Sequence, residues 1–302
     1  MRLSELKRLG APVDERTFFI CAETDLCRDQ GMITEMLHSL LVGCPRWGRR
    51  LGLAREHVAI SARYRRVGRA WASHLEASRA AILEAAQRCA RRRCAWVVGA
   101  GSCLDVPVAE LAQQFEMVVL ADVVTSLPAR RFARRFPGRV RLVTWDATGA
   151  LERLVAAKCG TPAEIAACFE EAEPGTLPGG ASDLVVSANC LSQLGLVVDT
   201  LAPGCTDDER WRGVAAAARR HLAWLDGQPG VRLLLADVAR SEVPPEGAEG
   251  LREDCLEGLG LREPDWRWRW GIAPIPEYSA RVHRVHEVGA WLAGPDAGFC
   301  AR

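Results

Sequence analysis

From residue 94 onward the chain alternates short apolar runs with stretches of helical character, and this rhythm constrains the fold more than any single motif. The runs are "AWVV" (95–98), "MVVLAD" (117–122), "RLVTWD" (141–146), "DLVVSAN" (183–189) and "RLLLADV" (232–238). Each has the length of a strand and is apolar at successive positions, as in a sheet covered on both faces. Helices are expected over 106–115, 127–136, 150–158, 162–172 and 207–226, with "EPGTLPGG" (173–180) as a surface loop. Strand and helix in repetition build a parallel sheet with helical crossovers. After residue 260 the rhythm stops, and "DWRWRWGIAPIPE" and "ARVHRVHEVGAWL" read as two strands pairing antiparallel at one edge.

Residues 1–92 read as helical instead. "RDQGMITEMLHSLLVG" sets Met32, Met36, Leu37, Leu40 and Leu41 on one face. The longest helix signal keeps Ile60, Tyr64, Val67, Trp71, Leu75, Ile82 and Cys89 on a helical period. So apolar a stripe has to pack against the strand-rich part of the chain. The expected organisation is a helical N-terminal cap, 1–92, ahead of a domain at 93–302, with Arg63, Tyr64, Arg66 and Trp71 near the rim of a pocket. Arginines at that rim would favour an acidic ligand.

The first strand runs into "VVGAGSCLDVP". Gly99 and Gly101 allow positive φ and a close approach of ligand to backbone. Asp122 ends the second strand, 21 residues after Gly101, where an acid can hold ribose hydroxyls, and Asp146 ends the third. The dinucleotide fingerprint needs a small residue at 104, which is Leu104, and a pyrophosphate on the next helix would meet Asp105. Asp105 is also placed to cap that helix, ahead of Pro107.

In order and spacing, residues 95 to about 292 resemble the class I S-adenosylmethionine (SAM)-dependent methyltransferases. The resemblance rests on "VVGAGSCLDVP", "VVLADVV", "VTWDATG", "SDLVVSANCLSQL" and "VRLLLADV". It implies an α/β fold: a seven-stranded, mostly parallel sheet with helices on both faces and an antiparallel last strand. It also implies a site. The backbone of Gly99, Ala100, Gly101 and Ser102 would lie under the methionine and ribose of SAM. Asp122 would hold the ribose hydroxyls, with Val123 against adenine. Asp146 would receive the adenine amino group, with Ala147 beside the ring, and Asn189 would sit nearest the methyl. Val97 stands where the family usually has an acid, and no catalytic residue is assigned.

The remaining features are weighed against plainer roles. Twelve scattered cysteines with no CxxC argue for reduced thiols and against a metal site. His283 and His286 fall on opposite faces of a strand, so they cannot easily share a metal. Trp266, Trp268 and Trp270 form one aromatic face, read as core, and Ser187 and Ser192 lack a hydrolase elbow. A formal net charge of +1 gives no clear nucleic-acid or membrane signal. The charged N-terminus and the lack of a long apolar run point to the cytoplasm. The expected function is methyl transfer from SAM to a small-molecule acceptor. A SAM-binding protein without turnover and an NAD(P)-dependent oxidoreductase are the other readings.

Overall fold

In the computed structural model, which describes residues 41–247 and 250–300, every residue of β1 (Cys94–Val98) is buried. The pleat divides them between two cores. Cys94, Trp96 and Val98 join one, while Ala95 and Val97 join the other. β2 (Met117–Asp122), β3 (Val140–Thr144), β4 (Leu184–Ala188) and β5 (Val231–Val243) complete a parallel run, with β1 between β2 and β4. β6 (Arg252–Asp254), β7 (Trp266–Ala273) and β8 (His283–Ala293) come next in the chain. The order across the sheet is β3-β2-β1-β4-β5-β8-β7, with β8 antiparallel to both neighbours and β6 paired to β5 off this path.

The helices are α1 (Arg46–Arg50), α2 (Leu53–Val67), α3 (Ala72–Gln87), α4 (Val108–Gln114), α5 (Leu127–Arg135), α6 (Leu151–Ala157), α7 (Pro162–Glu170), α8 (Leu194–Leu201) and α9 (Asp207–Asp226). Capping boxes start α7 (Thr161 with Glu164) and α9 (Thr206 with Glu209), each closing the otherwise unpaired N–H groups of a first turn. One face of the sheet buries Leu154, Ile165, Phe169, Val198 and Leu225 from α6–α9. The other buries Ile82 and Ala85 from α3 and Leu111 from α4. The position expected for a boundary, after residue 92, lies between α3 and β1, two elements that share one core.

This is the expected α/β architecture, a mostly parallel sheet with helices on both faces, corrected in one respect: among the described residues the sheet has eight strands, not seven. The addition is β6, three residues long with no apolar alternation to announce it. It pairs with the far end of β5, which runs past the expected end at 238 to Val243 after a register shift between Asp237 and Ala239. The single helix expected from 60 to 89 is also two helices, joined by a 3-10 turn at Gly68–Trp71. The turn changes the helical phase, and Trp71 is fixed there by donating from Nε1 to the Ile272 carbonyl at 2.9 Å. The helix expected at "RDQGMITEMLHSLLVG" lies outside the described residues, apart from its last three positions.

The chain steps from β1 to β2 and β3 on one side and then returns from β3 past β1 to β4 on the other, and this reversal of strand order opens a crevice at the carboxyl ends of β1 and β4.

Candidate functional site

A cavity of about 200 Å³ lies at that crevice. All nine residues implied by the resemblance line it: Gly99, Ala100, Gly101 and Ser102 after β1, Asp122 and Val123 after β2, Asp146 and Ala147 after β3, and Asn189 after β4. Gly99 has φ +75, and a Cβ there would stand 2.5 Å from the Ala188 carbonyl oxygen and from Cys190 Sγ. Only glycine satisfies both constraints. Asn189 also adopts positive φ, at 55, which Asn tolerates better than most residues.

Asp122 holds the glycine turn as well as facing the cavity. Its Oδ2 accepts from Gly101 N at 2.8 Å and its Oδ1 from Val124 N at 2.9 Å. Burial raises its pKa, and the N–H groups of Val124, Gly101 and Val123 oppose that rise. Asp146 builds the next turn. Oδ1 accepts from Thr148 N at 2.8 Å and Thr148 Oγ1 at 2.7 Å, while Oδ2 accepts from Leu151 N at 2.7 Å.

Asp105 is not the helix cap expected from sequence. α4 starts later, at Val108, with Pro107 in the capping position and no side-chain cap. Asp105 instead lines the cavity and accepts from Asn189 Nδ2 at 3.0 Å through Oδ2. Burial raises its pKa, opposed by its own backbone N–H, by Asn189 and by Arg79. The other end of the Asn189 amide, Oδ1, is buried without a partner among the described residues.

Helix α2, in the N-terminal stretch expected beside the pocket, supplies a wall through residues that the sequence reading did not place there. Leu53, Glu56, His57 and Ile60 face the cavity with helical spacing. His57 Nε2 lies 3.4 Å from Ser102 Oγ, and Ser61 Oγ lies 3.2 Å from the same hydroxyl, so α2 touches the glycine turn directly. Glu56 has its pKa raised by burial, opposed by Arg63 and Arg55. Of the residues expected at the rim, Trp71 lines the cavity. Arg63, Tyr64 and Arg66 are not among its lining. Arg66 makes a two-pronged bond to Glu277 at 2.9 and 2.7 Å, and Arg63 Nε lies 3.6 Å from the same carboxylate. The arginine pair therefore ties α2 to the β7–β8 link instead of offering charge to a ligand.

The aromatic strand does more than fill the core. Trp270 reaches the cavity, with His74 of α3 stacked on it at 4.0 Å and 7°. His286 packs edge-on to Trp270, and its Nδ1 lies 3.0 Å from Asp237 Oδ2. Burial would raise the Asp237 pKa, but His286 and Arg240 hold it below the usual carboxylate range. His283 accepts from Ile275 N at 3.1 Å, so the two strand histidines have separate partners. No group of His, Cys, Asp and Glu among the described residues has metal-binding geometry. Cys190 lines the cavity, but burial pushes its thiol up to about 12, far from the thiolate a nucleophile needs.

Behind the site, His221 of α9 bridges two strand ends. Its Nε2 lies 2.7 Å from Ser187 Oγ and its Nδ1 lies 3.1 Å from the Ala147 carbonyl oxygen. A carbonyl only accepts, so Nδ1 carries the hydrogen and Nε2 accepts from the serine. Burial drops the His221 pKa to about 4.

Among solved structures, the chain is similar to a Burkholderia thailandensis 1,6-didemethyltoxoflavin-N1-methyltransferase with bound 1,6-didemethyltoxoflavin and S-adenosylhomocysteine. Identity is 18%, covering 78% of this chain and 89% of that one, at a TM-score of 0.34. It is similar to an O-methyltransferase family protein from the same organism at 13% identity, covering 86% and 67%, with a TM-score of 0.34. A SAM-dependent methyltransferase from Leishmania major is 13% identical over 85% of this chain and 82% of that one, again with a TM-score of 0.34. No protein-family model and no curated protein sequence matches the chain.

Proposed function

We propose that this chain binds S-adenosylmethionine at the carboxyl ends of β1, β2, β3 and β4 and directs its methyl group to a small-molecule acceptor. The observation that carries the reading is the meeting of a glycine turn with Asp105, Asp122 and Asp146 in one cavity whose described lining contains no Lys or Arg. Such a lining suits a ligand with an ammonium and a sulfonium and no phosphate.

The residues present fit that group. Each Asp122 oxygen accepts one backbone N–H and has capacity for a second donor, as ribose hydroxyls require. Gly101 exposes bare backbone, since a Cβ there would meet nothing nearer than 3.8 Å. Asp146 Oδ2 has one donor and room for an adenine amino group, with Ala147 and Val123 beside it as apolar contacts. The unpartnered Asn189 Oδ1 and the Asp105 carboxylate next to it suit the ammonium. When bound, the cofactor supplies an electrophilic methyl on a sulfonium. The chain's own work is to enclose, orient and exclude water, so proximity supplies much of the rate. In this reading residues 1–92 serve as the cover of the site, which the contacts of α2 with Ser102 support.

A dinucleotide fits poorly. Its pyrophosphate would need N–H groups at the start of α4, where Pro107 has none and Asp105 adds negative charge. Calorimetry tests the choice. Saturable binding of S-adenosylhomocysteine and no response to NAD are expected; NAD binding without a response to S-adenosylhomocysteine would overturn the reading. Transfer of labelled methyl from SAM to any acceptor then tests turnover.

A further inference from the structure

We infer that the part of the cavity walled by Trp71, His74 and Trp270 is the acceptor compartment, shaped for a flat heteroaromatic compound, neutral or cationic, that accepts a hydrogen bond from His74. The inference rests on SAM as the methyl donor and names the class of acceptor that the donor leaves open.

The walls are fixed before any ligand arrives. Trp71 meets Trp270 edge-on, with ring centroids 5.0 Å apart at 86°, and the imidazole of His74 lies parallel to Trp270. Trp71 is anchored by its bond to the Ile272 carbonyl, and His74 by Trp268. Rigid aromatic faces favour planar guests, which gain contact and stacking without ordering flexible side chains.

The polar signal is His74. Trp268 Nε1 lies 3.0 Å from His74 Nδ1. An indole N–H only donates, so Nδ1 is bare and the hydrogen sits on Nε2. His74 is 1% exposed, and Nε2 has no hydrogen-bond partner among the described residues. With Nδ1 turned to Trp268 and one face covered by Trp270, the Nε2 edge and the other face remain to meet the cavity that His74 lines. Burial lowers its pKa to about 4, so near neutral pH the ring is an uncharged donor. On the adjoining ring, Trp270 Nε1 is a buried N–H without a partner among the described residues. Unmet buried donors are costly, and a carbonyl oxygen or ring nitrogen on a bound guest would relieve that cost.

Charge sets the remaining limit. The described lining carries Glu56, Asp105, Asp122 and Asp146 and no Lys or Arg, while Arg63 and Arg66 are engaged by Glu277. A carboxylate or phosphate on the guest would be repelled, contrary to the acidic ligand expected from the arginines in the sequence.

The test uses the full chain with saturating S-adenosylhomocysteine, probed by calorimetry and tryptophan fluorescence. The probes are quinolone and quinazolinone, indole (flat, without an acceptor atom), and kynurenate, a quinolone bearing a carboxylate. Quinolone or quinazolinone should bind about tenfold or more tightly than indole and kynurenate, since each control lacks a matched bond or adds an unpaired charge. Trp270→Leu should weaken quinolone binding by a similar factor while S-adenosylhomocysteine still binds. Should that variant misfold, the comparison of probes on the native chain decides alone. If S-adenosylhomocysteine binds and neither neutral ring does, or kynurenate binds best, the compartment is wrong and the donor reading stands. If the neutral rings bind but S-adenosylhomocysteine does not, the compartment stands and the donor reading falls. Failure of both overturns both.

Discussion

Asp122 joins two tasks that sequence alone keeps apart, facing the cavity and closing the glycine turn beside it. Both of its oxygens take backbone N–H groups, from Gly101 and Val124. Asp122→Ala should therefore weaken S-adenosylhomocysteine binding by about 1.5–3 kcal/mol, the range for hydrogen bonds to a charged group. It should also lower stability, because Gly101 N and Val124 N lose their partner. Calorimetry paired with urea unfolding separates the effects, and a folded variant with unchanged affinity would leave Asp122 a turn former only. That the nine implied site residues would meet at one cavity was legible because strand ends, glycines and acids mark their own positions in a sequence. Asp105 was legible as an acid but not in its role, since the start of α4 shifted to Val108. The place of His74 and Trp270 at the cavity was hidden for another reason: the stacking that brings their rings together from α3 and β7 leaves no trace in residue type or spacing.

At the scale of elements, a neutral imidazole hydrogen-bonds α9 to the ends of β3 and β4. His221 has its pKa lowered from 6.5 to about 4, so the unfolded chain takes up a proton that the folded chain refuses. Its contribution to stability is therefore full above about pH 6.5 and is lost as pH falls toward about 4. Between about pH 7.5 and about pH 5 the loss is on the order of 2 kcal/mol. His221→Gln should remove that part of the pH dependence, so urea midpoints of native and variant proteins should converge on acidification. A constant gap would refute the assignment. Most strands and helices were readable because apolar runs of the right length announce them, and both β7 and β8 were found. The break at Gly68 and the short β6 were not. One comes from the anchoring of Trp71 on Ile272, and the other from pairing with a distant strand. Local sequence encodes neither contact.

Across the whole molecule, α3 closes one face of the sheet with Ala81, Ile82, Ala85 and Ala86, which share a core with Val97, Val186 and Leu235. A chain beginning at residue 93 would leave those strand residues uncovered and strip α2 from the cavity. It should be insoluble or fail to bind S-adenosylhomocysteine, as gel filtration and calorimetry would reveal. A soluble, monomeric product with native affinity would make residues 1–92 an appendage. The close approach at Gly99 has a different kind of consequence. The Ala188 oxygen that a side chain would strike belongs to the backbone. No substitution elsewhere can trim a carbonyl, so position 99 has no compensating mutation within reach. The aromatic walls, the acids and the choice of acceptor could drift over evolutionary time, one neighbour adjusting to another. Position 99 is a hinge of descent around which the rest can diversify, and a lineage that lost its glycine would lose the crevice with it.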